Sequence, residues 1–221
     1  MSLKVQLPNY RQIPKPLSNQ ELFKIKVKDL KPTQICVGFS EVWARQEEFQ
    51  EESHKKISAY LKKRPVPLVQ NKNHELWMLD RHHRLKALVE LDNNAEAFGY
   101  IVSELDTSEN HEVYDYLSQQ GWLYLYDSRG RGPKEAKELP SSLLRMEDDP
   151  YRSLVWKLKK EGIILSEPLI PYHEFQWSSW LRRRALPPFN SKNLHPAFSA
   201  ARSLVCSRAA SHLSGWNGRF Y

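Results

Sequence analysis

Residues 75–88 read Glu75-Leu76-Trp77-Met78-Leu79-Asp80-Arg81-His82-His83-Arg84-Leu85-Lys86-Ala87-Leu88, and the hydrophobic pattern changes period within them. The compact apolar run Leu76-Trp77-Met78-Leu79 predicts a buried strand. From 81 to 91, Leu85, Leu88 and Val89 recur at helical spacing, which predicts an amphipathic helix. A strand that feeds straight into a helix leaves Asp80-Arg81-His82-His83-Arg84 at the junction. The first N–H groups of a helix lack intrahelical partners, and the helix dipole places partial positive charge beside them. Such a turn suits an anion, and a phosphate above all. Arg84 adds a planar fork that can grip phosphate oxygens with two bonds. His82 and His83 add donors whose charge depends on pH near neutrality. Asp80 is placed to cap the helix, to hold a metal or to orient a histidine. The same residues also fit a plain capped helix with a wet first turn. Adjacent histidines point in different directions on a helix, so His82 and His83 alone predict no metal site.

Outward from this turn, the first half of the chain alternates short strands and helices. A half-buried strand is predicted over 22–27, followed by a turn at Lys31-Pro32 and a short extended piece over 34–38. Residues 47–63 are rich in helix formers and charge and predict one helix, which Pro65 ends. Strands follow over 66–70 and 75–79, with turn chemistry at Asn71-Lys72-Asn73 between them, and another strand over 98–103. Beyond residue 107 the pattern becomes mainly helical. Helices are predicted over 110–120, capped by Gly121, and over 143–162, 172–184 and 195–213. Residues 122–127 alternate as a strand would, and Pro168, Pro171, Pro187, Pro188 and Pro196 punctuate the later helices. Most of Trp122, Trp156, Trp177, Trp180 and Trp216 should be core against the first half. The fold class is α+β, divided into an arm over 1–20, a small mixed-sheet domain over 21–107, and a mainly helical basic region over 108–221 packed on it.

Charge separates the two halves. From residue 151 onward, eleven Lys or Arg face three Glu and no Asp, a net of +8. Taken from the total of +7, this leaves −1 for the first 150 residues. A basic end suits nucleic acid or another polyanion, and it equally suits a solvated helical face. Arg182-Arg183-Arg184 mark both options: three cations complement the end of a helix, and three cations can hold a phosphate backbone. The two cysteines, Cys36 and Cys206, have no metal-ligand spacing and read as reduced structural residues, which points to a cytoplasmic setting. No apolar run approaches the ~18 residues of a membrane-spanning helix. Asp149 followed by Pro150 reads as a helix cap, and Arg152 or Asp148 could reach the turn at Arg84.

The phrase Leu79-Asp80-Arg81-His82-His83-Arg84-Leu85 resembles the phosphate-binding signature of the ParB/sulfiredoxin superfamily. In that superfamily a Gly-x-x-Arg type turn follows a strand and opens a helix. ParB partition proteins carry Gly-Glu-Arg-Arg there and bind CTP, while sulfiredoxins carry Gly-Cys-His-Arg. Free-serine kinases of the same fold carry Asp-Gly-His-His-Arg, which is nearest to this chain. Val37-Gly38-Phe39-Ser40-Glu41-Val42, the stretch from Asp148 to Leu154, and Glu174-Phe175-Gln176-Trp177 are similar to segments of bacterial ParB-like proteins with a C-terminal extension. Two departures stand out. Arg81 occupies the position that is glycine in most relatives, and His82 occupies the sulfiredoxin cysteine position, which removes sulfiredoxin chemistry.

The resemblance implies a nucleotide-binding protein in which Asp80, Arg81, His82, His83 and Arg84 hold phosphate. It also implies magnesium with ATP or another nucleotide, and Glu41 as the base on a small hydroxyl acceptor. Without the resemblance, Glu41 reads as an acidic residue suited to a helix start. Three functions therefore stand open. They are an ATPase or phosphotransferase, a DNA-binding or ParB-like nuclease protein using the basic C-terminal region, and a non-enzymatic nucleotide-dependent switch.

Overall fold

A computed structural model describes residues 9–167 and 172–219. The first eight residues of the expected arm, and Pro168 and Pro171, lie outside the described residues. In chain order the elements are β1 (Phe23–Lys26), β2 (Leu30–Pro32), β3 (Cys36–Val37), α1 (Phe39–Gln50), α2 (His54–Lys62), β4 (Val66–Asn71), β5 (Leu76–Met78), α3 (His82–Leu91) and β6 (Glu96–Leu105). They continue as α4 (Asn110–Gln120), β7 (Glu147–Asp148), α5 (Pro150–Lys160), α6 (His173–Arg182) and α7 (His195–Cys206). The architecture is α+β, as the alternating pattern predicts.

Five strands form one mixed sheet in the order β1-β6-β4-β5-β2. β1 runs antiparallel to β6 and β5 antiparallel to β4, whereas β4–β6 and β2–β5 are parallel. Because successive strand residues face opposite sides, β5 sends Met78 to one core and Trp77 to another. Met78 joins Leu68, Leu85, Val42 and Phe49 under α1 and α3. Trp77 joins Val69, Val113, Leu117 and Trp122 under α4. The sheet is thus covered on both faces, and its third layer is supplied by residues beyond 107.

The C-terminal region is tied to this core rather than laid beside it. Leu143 and Met146 are buried in the cluster under α1 and α3, and β7 pairs in parallel with β3. Lys86 of α3 is fully buried and donates to the carbonyl oxygens of Leu143 at 3.1 Å and Leu144 at 3.3 Å, while Glu90 neutralises it at 2.8 Å. A third apolar cluster gathers α5, α6 and α7 around Leu154, Leu158, Trp177, Trp180 and Val205. Trp177 and Trp180 therefore pack among the C-terminal helices, and of the later tryptophans Trp122 is the one packed beneath the sheet.

Several elements differ from the sequence pattern, beginning with the turn expected at Lys31-Pro32, which is the end of β2. The single helix expected over 47–63 is two helices, and the first begins at Phe39. Glu47, Glu48, Glu51 and Glu52 stack like charges at a helix C-terminus, where the dipole opposes them, and Ser53 restarts the chain as the next N-cap. The helix expected over 143–162 is a 3₁₀ turn at Leu143–Arg145, then β7, then α5. Asp149 makes the break, because its Oδ1 accepts from the N–H of Tyr151 at 2.9 Å and of Arg152 at 3.4 Å, with Pro150 in the first turn. Residues 122–127 form no strand and bridge only at Tyr124, opposite Gln34. Their alternation instead reflects aromatic rings buried on both sides. The helix expected over 195–213 ends at Cys206, with a 3₁₀ turn at Arg208–Ala210 beyond it.

Candidate functional site

α3 opens at the end of β5, and the chain reaches it through Leu79, Asp80 and Arg81. Arg81, not Asp80, is the N-cap, and it adopts left-handed backbone at φ 79° and ψ 16°. Non-glycine residues adopt this conformation at a cost, so the turn stores strain at the helix start. Asp80 instead accepts from the Arg81 N–H at 2.6 Å and pairs with the Arg81 guanidinium at 3.1 Å. The Arg81 side chain makes no capping hydrogen bond, so the first turn keeps its donors facing outward.

The two histidines behave differently from free surface donors. His82 is buried, and its Nε2 accepts from the N–H of Thr33 at 3.2 Å. Burial, with His83 and Arg152 adding to it, lowers its pKa from 6.5 to about 3, so it is a neutral acceptor that ties α3 to the segment after β2. His83 Nε2 accepts from the N–H of Gly38 at 3.0 Å. With Nε2 so occupied, a neutral His83 carries its proton on Nδ1, which faces Glu41 Oε2 at 3.7 Å. Burial lowers the His83 pKa; Glu41 pulls it back up and Arg152 lowers it further. Glu41 itself sits between His83 and Arg45, whose guanidinium lies 3.4 Å from Glu41 Oε1.

Arg84 leaves the helix start and lies over the Tyr60 ring at 4.9 Å. Its Nε and one terminal nitrogen are buried with no hydrogen-bond partner among the described residues. Burial, joined by Arg81 and Arg45, holds its pKa below the ordinary value despite the opposing pull of Tyr60. A cation in that state is stabilised by any anion that meets its free donors.

These groups line one cleft of about 490 Å³, to which the first half of the chain gives Glu41, Asp80, Arg81, His83 and Arg84. The chain beyond residue 120 adds Tyr124, Arg152, Lys159 and Glu174 to the same lining. Arg152, 4% exposed, lies flat on the Phe175 ring at 3.6 Å and donates to Glu174 Oε2 at 3.3 Å. Lys159 pairs with the other oxygen of Glu174. Burial pushes the Glu174 carboxyl up, but Arg152 and Lys159 outweigh it and hold its pKa well below the ordinary value. The cleft is thus lined by five fixed cations, Arg45, Arg81, Arg84, Arg152 and Lys159, against the carboxylates Glu41, Asp80, Glu167 and Glu174.

The expected basic triplet is not one surface. Arg182 turns inward, donating to Asp149 Oδ2 at 2.7 Å and to the Ser128 carbonyl at 2.7 Å, with its plane on Tyr151. Arg183 is exposed, and Arg184 stacks on Trp180 at 4.3 Å. Arg182 therefore holds the α5 cap in place. Cys36 and Cys206 are free and buried, and burial pushes the Cys36 thiol pKa up, with Asp149 acting in the same direction. Sequence reasoning missed Arg45, Lys159, Tyr10 and Tyr124 as lining residues. No local pattern marks them, because the cleft is assembled from segments more than a hundred residues apart. Arg152 had a signal, since the Asp149-Pro150 cap fixes it in the first turn of α5.

The mixed sheet and the strand-to-helix turn define a protein of ParB/sulfiredoxin type. A family model described as "Putative ParB-like nuclease" matches residues 23–183, well over half of the chain, and the chain belongs to that ParB-like family. Among solved structures, the crystal structure of protein Atu1540 from Agrobacterium tumefaciens is similar, with a TM-score of 0.77 and 29% identity. That likeness covers 90% of this chain and 100% of the other. No curated protein matches. No helix among the described residues is long and apolar enough to cross a membrane.

Proposed function

We propose that the cleft binds a nucleotide through its phosphates and passes the terminal phosphoryl group to water or a small hydroxyl acceptor. The observation that carries this reading is the set of buried guanidinium nitrogens on Arg81, Arg84 and Arg152 that have no partner among the described residues, on arginines that all line the cleft into which α3 opens. Buried guanidinium nitrogens with unmet donors are costly to maintain without an anion, and phosphate matches their planar fork. Glu41 is the carboxylate suited to accept the acceptor hydroxyl proton, with the His83 Nδ1–H and Arg45 orienting it. The acceptor oxygen then bonds to the terminal phosphorus, the bond from that phosphorus to the bridging oxygen breaks, and the nucleoside diphosphate leaves. Among the described residues no three His, Cys, Asp or Glu side chains gather as a metal site. Magnesium arriving with nucleotide phosphates needs only one or two protein carboxylates, and Asp80, with a 53% exposed side chain, fits that part at the rim. The ion would neutralise phosphate charge.

The test is phosphate release from ATP, GTP or CTP with magnesium. Glu41→Gln should lower turnover by about a hundredfold or more while leaving nucleotide affinity within about twofold. Turnover that survives this change removes Glu41 from the role.

A second reading is supported by the family description and by the +8 charge of the C-terminal residues. Here the phosphate in the cleft belongs to a nucleic acid, which the protein binds or cleaves. Affinity for DNA should then fall steeply as salt rises, since each neutralised phosphate releases counterions. DNA binding that ignores salt would contradict it.

A further inference from the structure

We propose that the C-terminal region completes the nucleotide site, with Arg152 gripping the phosphates together with Arg84 and the aromatic wall beside Arg152 receiving the base. The inference rests on the nucleotide reading above and assigns the two ends of the ligand to residues. Arg152 is 4% exposed, and its Nε and one terminal nitrogen have no partner among the described residues. Its guanidinium bond to Glu174, at 3.3 Å, is long for a charged pair. Glu174 divides its charge between Arg152 and Lys159, so the three together keep a net positive charge facing the cleft. Asp149 accepts from the Arg152 N–H at 3.4 Å and fixes its backbone in the first turn of α5, while the Phe175 ring at 3.6 Å holds its guanidinium.

From Arg152 a continuous row of rings leads back to the α3 turn. Arg152 lies on Phe175 at 3.6 Å, Phe175 meets Tyr124 at 3.7 Å, Tyr124 meets Tyr172 at 5.5 Å, and Tyr172 meets Tyr10 at 5.4 Å. Tyr10 closes the row in the same cleft lining as Asp80 and Arg81. Tyr10 and Tyr172 are the half-buried members, so their rings are the ones open to a ligand. Stacking of this kind accepts any base, because every base has a π-face. A nucleoside phosphate satisfies both the unmet donors and the aromatic wall, whereas a free polyphosphate satisfies only the donors.

The experiment is calorimetric titration of the full chain with ATP, CTP and inorganic triphosphate. Wild type should prefer the better nucleotide over triphosphate by about tenfold or more, as one stacked base contributes. Arg152→Gln should weaken nucleotide and triphosphate alike by about tenfold or more. Tyr10→Ala should erase the preference for nucleotide and leave triphosphate affinity unchanged. Where Arg152→Gln does not fold, Arg152→Lys keeps a cation for Glu174, and the same loss is expected because an ammonium has no fork. The inference is overturned if Arg84→Ala abolishes binding while Arg152→Gln or Arg152→Lys binds as wild type, or if Tyr10→Ala keeps the wild-type preference. Failure of wild type to bind any of the three ligands overturns the nucleotide reading itself and this inference with it.

Discussion

Arg81 carries left-handed backbone, φ 79°, at the start of α3, a conformation that costs an L-residue roughly 1–2 kcal/mol. Glycine would remove that cost and return ~0.4–1 kcal/mol through a freer unfolded chain. Arg81→Gly should therefore leave stability unchanged or raise it by up to about 1 kcal/mol in urea unfolding. A clear loss would mean that the Arg81 side chain stabilises the fold, against its position at the rim. The neighbouring His82 gives a pH dependence. Its native pKa, about 3, lies below its ordinary 6.5, so between those values the unfolded chain binds a proton that the native protein does not. The stabilisation is complete above 6.5 and is lost as pH falls toward 3, by up to ~1.4 kcal/mol per pH unit. His83 shifts in the same direction. Urea unfolding followed from about pH 7 to about pH 5 should show this slope, and His82→Asn should flatten it. An equal slope in the variant would place the acid sensitivity elsewhere.

Among the elements, the contact of α1 with α5 fixes the width of the cleft. Gly38, just before α1, lies so near α5 that an added Cβ would sit 2.5 Å from the Ser153 nitrogen and 2.8 Å from the Arg152 carbonyl carbon. Both are backbone atoms and cannot turn aside. Gly38→Ala should cost ~1–3 kcal/mol by forcing the helices apart, and ligand affinity should fall with it because Glu41 and Arg152 separate. Unchanged stability would show that the two helices are free to slide. This contact was not legible in the sequence, and the reason is physical. The strand-to-helix turn is local, and its apolar period changes within five residues, so β5 and α3 could be read directly. The start of α1 was marked only by Glu41 ahead of Val42-Trp43-Ala44, and the charged run from Glu47 to Lys63 outweighs that signal. The break before α5 was legible as a cap at Asp149-Pro150, yet the same apolar residues also fit one long helix.

At the scale of the whole molecule, the Asp80–Arg84 turn and the basic C-terminal region meet in one cleft. Asp80 through Arg84 could be chosen from sequence because they are contiguous. Arg152 could be named as within reach of the turn from its place beside the Asp149-Pro150 cap, but Lys159 and Tyr124 could not, because long-range packing through Leu143, Met146 and the β3–β7 pair brings them there. The charge difference between the halves, −1 against +8, suggested a separate polyanion surface. Part of that charge is inside the protein: Arg182 is bound to Asp149, and Arg152 faces the cleft. The proposed nucleotide function requires a phosphate site in this cleft built on Arg84. A thermal-shift panel of ATP, ADP, CTP and GTP, with and without magnesium, on wild type and Arg84→Ala tests that requirement. At a ligand concentration near a hundred times Kd, one nucleotide should stabilise wild type by about 2.7 kcal/mol, and Arg84→Ala should abolish the shift while remaining folded. No shift with any nucleotide, or an equal shift in Arg84→Ala, would contradict the claim.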